Sequence, residues 1–366
     1  MAQETKKITE LTALDAFTKS TLFVTHNGTG ARKATMQQLW DFLPGMGSNA
    51  GAHNGIYRGK SLGSSITAAQ YSAISAGTFD DLYIGDYWTI SSKNYRIVAF
   101  DYYYRCGDGN GNASHKWVDG NNVEHTIPIL GDVNKHHVTL MPDAPLYNAQ
   151  MNPTNTTDGG YVGSTMYRGT TVYTAPSDTT YYSDSACTTE AGTTEAATTA
   201  TYVNATTGTI TVSDTTYYVK LADCTVSYDV RSSGLASAKD TIVNAFGASH
   251  ILGMRKYLVN AATDGVGTGG GWFDSFLELP NEVNMYGGHI VAAMNSNNIN
   301  HYKYTVDKTQ FPLFRFAPHL ISNRQYFWLQ DIVTSASFAR VHTLGNAITY
   351  NATYAIGVRP VFSIIG

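Results

Sequence analysis

A chain of 366 residues is long enough for roughly two or three domains, and its hydrophobic fraction of 43% can fill a sizeable core. Only 14% of residues are charged, well under the ~25% of an ordinary soluble domain, so solubility rests on neutral Thr, Ser, Asn and Gly. The net charge of −4, with Lys and Arg in nothing longer than pairs, excludes the clustered basic surface that nucleic acid demands, and no stretch approaches the ~18 apolar residues of a membrane span.

Met1 to Glu10 is polar, without the apolar run that directs secretion. Leu22-Phe-Val-Thr-His26 reads as a short strand before the turn signal Asn27-Gly28. A second short strand then leads to Thr35-x-x-Gln38, a capping box that predicts a helix over Met36–Phe42. Pro44, Gly45, Gly47 and Gly51 break the chain. Residues 1–51 are therefore expected to be a β-turn-α module too small to bury its own apolar face, which docks on another surface or trimerises.

Residues 52–169 begin a larger domain. Thr67-Ala-Ala-Gln70 is a second capping box, predicting a helix through about Ser75. Asp86–Ile90 and Tyr95–Phe100 read as strands joined by the turn Ser91–Asn94, Gly107–Gly111 as a loop, and His137–Met141 as a buried strand.

Residues 170–232 change character, being poor in Leu and charge and rich in Thr, Tyr, Ser and Ala. Asp178-Thr-Thr-Tyr-Tyr182 recurs as Asp214-Thr-Thr-Tyr-Tyr218, each copy followed by Cys-Thr at Cys187 and Cys224. Alternating β-formers and turn residues predict a small inserted β-module, with disorder over Thr188–Thr201 as the competing reading. Three cysteines, Cys106, Cys187 and Cys224, make neither a disulfide framework nor a Cys-x-x-Cys metal pattern. Cys187 and Cys224 could pair, although free thiols are the default.

Residues 233–366 return to core-like sequence. Leu235–Phe246 places Ala238, Ile242 and Phe246 on one helical face before Gly247. Pro280 makes Leu277–Glu282 a loop, and Gly265 to Gly271 a flexible one. Gly357–Ile365 is a closing strand. Residues 52–169 and 233–366 together read as one α+β domain.

No catalytic constellation emerges. His136 and His137, adjacent on a strand, point to opposite faces and are poorly placed to chelate one metal. Glu278 and Glu282 are close in sequence, but spacing alone does not make a glycosidase pair. Serine-nucleophile elbow, zinc-protease and phosphate-loop motifs are all missing. Neither a cofactor nor a metal site is expected, and the chain reads as a binding protein rather than an enzyme.

The informative segment lies between Trp328 and Gly357. Phe338, Arg340, His342, Asn346, Tyr350, Asn351 and Tyr354 are interleaved with small residues. Aromatic contact area beside adaptable hydrogen-bonding groups is the composition of binding loops. The 25 tyrosines of the chain fit that reading where they stand beside Gly, Ser and Asn, and fit half-buried strands elsewhere.

The run Tyr326-Phe-Trp-Leu-Gln-Asp331, with Gly357-Val-Arg-Pro-Val-Phe362 after it, resembles the closing part of a C-type-lectin-like domain. The closest likeness is to the branch shared by formylglycine-generating-enzyme-like domains and the variable proteins of phage diversity-generating retroelements. In that branch Trp-Leu-Arg and Gly-Val-Arg-Pro-Ala-Phe are structural, which here implies scaffold roles for Trp328, Gly357 and Arg359 and an exposed, variable segment between them. Gln330 stands for the usual Arg and Val361 for the usual Ala. Gly85–Ile90, Val138–Pro142, Tyr147–Asn152 and Leu279–Glu282 extend the likeness. The cysteine pair of formylglycine-generating enzymes has no counterpart in residues 233–366, nor have the Glu-Pro-Asn and Trp-Asn-Asp motifs of calcium-dependent lectins. Residues 7–14, 22–26 and 34–39 are similar to the virion attachment ends of phage fibre proteins.

The resemblance implies a trimeric phage fibre or receptor-binding protein, assembled in the bacterial cytoplasm. It would be held to other virion proteins by residues 1–51 and would face a bacterial surface glycan or protein. A head or collar decoration protein is the alternative, and a glycan depolymerase a more distant one.

Overall fold

The computed structural model describes residues 22–26, 31–35, 49–121, 123–168, 170–203, 206–229, 234–258, 262–263, 266–267, 270–292 and 309–366. It is a mixed α+β structure in which sheets dominate and helices are few and short. The first element is an antiparallel hairpin of β1 (Leu22–His26) and β2 (Ala31–Thr35), registered Leu22 on Thr35 and His26 on Ala31. The turn at Asn27-Gly28 and the helix expected over Met36–Phe42 lie outside the described residues.

Two helices follow, α1 (Ala50–His53) and α2 (Ala68–Ala76). In α2 the Thr67 hydroxyl accepts from Gln70 N at 3.2 Å and the Gln70 side chain accepts from Thr67 N at 2.9 Å. Two N–H groups that the first helical turn leaves unpaired are thereby satisfied. Strands β3 (Tyr87–Ile90) and β4 (Lys93–Phe100) are joined by only two residues, Ser91 and Ser92, at φ 49° and 61°. The turn is tighter than the sequence suggests because Lys93 and Asn94 enter the ladder against Ile90 and Thr89. Next come β5 (Lys116–Val118), β6 (Glu124–Thr126), β7 (Ile129–Leu130), β8 (His137–Pro142) and β9 (Tyr147–Ala149), with every residue of β8 buried. Asp101 serves both neighbouring histidines, meeting the His136 ring through Oδ2 at 2.7 Å and accepting from His137 N through Oδ1 at 2.9 Å.

After two single-turn helices, α3 (Gly160–Gly163) and α4 (Thr165–Arg168), the Thr/Tyr-rich segment forms one antiparallel sheet. Its strands are β10 (Thr170–Ala175), β11 (Thr180–Tyr182), β12 (Glu190–Thr193), β13 (Thr198–Tyr202), β14 (Thr207–Val212), β15 (Thr215–Lys220) and β16 (Thr225–Asp229). They lie in the order β12-β11-β15-β14-β13-β10-β16. Thr188–Thr201 therefore supplies all of β12 and most of β13. The internal repeat is brought into register: Tyr182 of the first copy pairs with Tyr218 of the second. Both repeats start at an Asp with positive φ, Asp178 at 66° and Asp214 at 63°. Ala175, Ala200, Ile210 and Val219 make a small core of their own. Entry and exit strands pair directly, Thr170 on Asp229, so the segment leaves and rejoins the chain at one place. Cys187 and Cys224 are free thiols.

Helix α5 (Ala236–Phe246) buries Ala238, Ile242 and Phe246, the spacing read from the sequence, and Gly247 closes it at φ 81°. Then follow β17 (Gly253–Leu258), β18 (Ala262–Thr263), β19 (Val266–Gly267) and β20 (Gly271–Ser275). Glu282 does not sit in a loop: Asn281 caps a short helix, α6 (Glu282–Tyr286), through a reciprocal bond pair with Asn284. Pro280 only fixes the approach to it. Helix α7 (Pro312–Phe316) precedes the final strands β21 (Phe327–Thr334), β22 (Ser337–Val341), β23 (Ala347–Asn351), β24 (Ile356–Val358) and β25 (Phe362–Ile365).

Two sheets organise this region. One has the order β25-β8-β4-β3, with Phe362 against Leu140 and Ile365 against His137. The other has the order β23-β22-β21-β24-β9, antiparallel except where β21 and β24 run side by side at Phe327 and Gly357. A single core unites residues on both sides of the insertion, including Ile74, Trp88, Val138, Tyr161, Ile242, Phe314, Trp328 and Ile364. At roughly 1.5–3 kcal/mol for each large side chain removed from water, this core is the main source of stability.

Candidate functional site

The five-stranded sheet positions the segment between Trp328 and Gly357. Trp328 is fully buried, and its indole N–H donates to Ala149 O at 2.8 Å, tying β21 to the end of β9. Gly357 is needed for close approach: a Cβ there would lie 2.4 Å from Tyr326 O and 2.5 Å from Pro145 Cγ. Arg359, 1% exposed, donates from Nε to Pro142 O at 2.7 Å and from Nη1 to Ile321 O at 2.9 Å. Its guanidinium also lies 5.0 Å from the Phe327 ring centre. Burial lowers its pKa to about 10, and no carboxylate hydrogen-bonds it among the described residues. These three residues fix the walls of the segment. Gln330, where the resembled branch has Arg, donates to Leu279 O at 3.1 Å and joins β21 to the approach to α6.

Between those walls the sequence-derived residues separate. Phe338 is 0% exposed within the core, so it cannot touch a ligand, although it pairs with Tyr350 across β22 and β23. It sits on a strand covered on both sides, all five residues of β22 being buried. Arg340, 7% exposed, is held between two rings, with its guanidinium carbon 4.2 Å from the Tyr326 ring centre and 3.5 Å from that of Tyr350. Tyr350 packs on Tyr354 with ring centres 4.3 Å apart and planes 31° apart. Tyr326 meets His342 edge-on at 5.0 Å. His342, Tyr326, Arg340, Tyr350 and Tyr354 thus form a continuous row of rings and one cation, contributed by the residue before β21, by β22 and the residue after it, by β23 and by the turn after β23.

The ends of this row are held by loops. His342 Nδ1 accepts from Leu344 N at 3.2 Å, and His342 N donates to Asn346 O at 2.8 Å, which closes the β22–β23 connection. The Tyr286 hydroxyl donates to Gly345 O at 3.0 Å and anchors that loop to α6. Asn346 and Asn351 are exposed but stand at opposite ends of β23, so the structure does not bring them together. Asn351 accepts from the Ser337 hydroxyl at 3.2 Å. Leu344 is 84% exposed and Tyr354 50%, both far above what burial would favour for such side chains.

Sequence reasoning missed two parts of this face. Tyr326 was assigned to the scaffold strand, yet it is the ring that covers one side of Arg340 and is itself exposed. Beside it opens a cleft of about 440 Å³, lined by Pro145, Tyr147, Asn148, Arg324, Tyr326 and Thr343 among others. Its walls come from β9, β24 and the segment before β21, which are remote in sequence, so only the sheet order could reveal it. Period-2 alternation could have paired Tyr326 with Arg340, since Tyr326 lies two residues before Trp328, the cross-strand partner of Arg340.

The acidic candidates serve the framework. Glu282 is fully buried, and its carboxylate accepts from the amides of Ile290 at 2.7 Å, Val291 at 3.0 Å and Ala292 at 3.1 Å. Asp331 Oδ2 accepts from Glu282 N at 2.7 Å, so a chain of buried carboxylates ties β21 through α6 to the following loop. Glu278 instead accepts from the Ser275 hydroxyl at 2.7 Å, and burial raises its pKa. The two glutamates engage different partners. Among the described residues no group of three or more His, Cys, Asp or Glu side chains is arranged to hold a metal ion.

The chain matches no protein-family model, no curated protein and no solved structure.

Proposed function

We propose that this chain is a recognition protein whose C-terminal domain has a C-type-lectin-like fold and binds a bacterial surface ligand, glycan or protein, through the row of Tyr326, Arg340, His342, Tyr350 and Tyr354. The observation that carries the reading is that row: four rings and a guanidinium, drawn from β22, β23 and the segments beside β21, β22 and β23, with Tyr354 left half in solvent at its end. Aromatic faces with an amphipathic tip are the side chains that dominate binding surfaces, because they supply area at little cost in rotamer freedom. The framework around the row is held by buried hydrogen bonds of Trp328 and Arg359, which leaves the exposed positions free to vary without unfolding the sheet.

In this reading residues 1–51 attach the chain to a phage particle as a trimer, and the domain acts as a fibre or receptor-binding tip, with segment 335–355 open to diversification by a retroelement. Support comes from the resemblance of the N-terminal segment to virion attachment ends and from the hairpin of β1 and β2 within it. Three copies of a weak site would gain avidity through effective concentration.

Labelled protein incubated with a panel of bacteria tests the reading. Wild type binds cells of at least one strain, and the Tyr350→Ala/Tyr354→Ala variant loses at least about tenfold in binding, some 1.4 kcal/mol, at an unchanged thermal midpoint. Equal binding by both proteins overturns it.

A further inference from the structure

Arg340 differs from the other arginines held in this structure. Arg58 grips Asp86 and Asp81, Arg96 grips Asp143 through two bonds of 2.6 Å, and Arg255 bridges Asp108 and Asp274. Arg359 grips carbonyl oxygens. Arg340 is as deeply placed at 7% exposure, yet its Nε has no hydrogen-bond partner and no carboxylate acts on it. The groups that act on it are burial, which lowers its pKa, and the two tyrosines. Taking a guanidinium this far out of water with only tyrosine groups beside it and its Nε unpaired is unfavourable unless a stronger acceptor arrives.

The geometry says where the partner would come from. Rings at 4.2 and 3.5 Å cover the guanidinium faces, so the in-plane N–H edge is the direction left for bonding. A flat fork of N–H donors matches the two oxygens of a carboxylate or phosphate. The local charge agrees. In a chain of net charge −4, residues 324–357 contain Arg324, Arg340 and His342 but a single acid, Asp331, which is buried and already bonded to Glu282 N. The adjoining cleft has Arg324 in its wall and no acidic residue.

We infer that the ligand of this face is a sugar carrying an oxyanion, a carboxylate or phosphate, which pairs with the Arg340 guanidinium while the exposed Tyr354 stacks on the sugar ring. The inference rests on the recognition reading above and narrows it to an acidic saccharide.

Glucuronate, glucose 6-phosphate and glucose are titrated separately into the full-length protein while the Arg340 Nε–Hε resonance is followed by NMR. Glucuronate or glucose 6-phosphate shifts that resonance with saturation in the millimolar range, and glucose is at least about tenfold weaker. The stronger of the two acidic sugars identifies the anion. Arg340→Lys keeps the charge but loses the fork, and Tyr354→Ala removes an exposed ring that the fold does not need; each weakens the acidic sugar several-fold. Glucose acting as strongly as the acidic sugars, silence toward all three, or an acidic sugar that binds Arg340→Lys at full strength overturns the inference. Binding of bacterial cells by wild type and its loss in the tyrosine variant would still stand, so failure here is separate from failure of the recognition reading.

Discussion

Arg359 holds its place by donating to backbone carbonyls of two separate segments, and a substitution there has a calculable direction. Arg359→Met keeps most of the volume but leaves Pro142 O and Ile321 O without their donors. Buried acceptors left unpaired cost about 1–3 kcal/mol each, so the variant is expected to lose about 2–6 kcal/mol in a urea titration. A change under about 0.5 kcal/mol would remove Arg359 from the framework. Asp184 gives a pH dependence of defined sign. Its carboxylate accepts from the amides of Thr189 and Thr188, which lowers its pKa from the ordinary 3.8 to about 2. A depressed folded-state pKa stabilises the turn above the ordinary value, and that stabilisation is lost as pH falls through about 2. Hydrogen exchange of the Thr188 and Thr189 amides should therefore accelerate between pH 4 and pH 2 in excess of the intrinsic trend, and Asp184→Ala should show the fast rate throughout; parallel profiles would contradict this.

Among the elements, the β3–β4 hairpin and the Thr/Tyr-rich sheet carry the clearest consequences. Ser91 and Ser92 both occupy the left-handed region, where a side chain costs about 1–2 kcal/mol more than glycine. Ser91→Asn combined with Ser92→Gly should raise stability by roughly 1 kcal/mol, read from the denaturation midpoint, and a loss would show that the serine side chains matter. The sheet of β10 to β16 enters and leaves at paired residues Thr170 and Asp229 and has its own core. Replacing residues 170–229 by a short Gly-Ser linker should leave the remaining domain cooperatively folded, and loss of its cooperative transition would show that the two cores depend on each other. Local signals made much of this legible in advance. The capping box at Thr67, the periodicity of α5 and the Asp-Thr-Thr-Tyr-Tyr repeat each needed only near neighbours. Phe338 was misplaced for the opposite reason: alternation gives the face of a residue but not whether that face is covered, and β22 is covered on both. The cleft beside Tyr326 escaped notice because it needs β9 and β24 side by side, a contact more than two hundred residues apart in sequence.

At the scale of the whole molecule, we propose that residues 1–51 attach the chain and that the row of rings recognises a ligand, both carried by a domain whose main core spans residues on either side of the insertion. Sedimentation of the full chain should find a trimer, and removal of residues 1–51 a monomer; a monomeric full chain would contradict the avidity argument. Because the face is cationic within an acidic protein, cell binding should weaken as salt rises, and salt-independent binding would point to contact by rings alone. The location of the ligand is the central claim, and a photo-crosslink tests it most directly. A benzophenone side chain at position 354, beside Tyr350, is compared on bound bacterial cells with one at position 216, exposed on the Thr/Tyr-rich sheet. A covalent adduct with surface material is expected from position 354 and none from 216; adducts from 216 alone would place the binding surface elsewhere and contradict the proposed site.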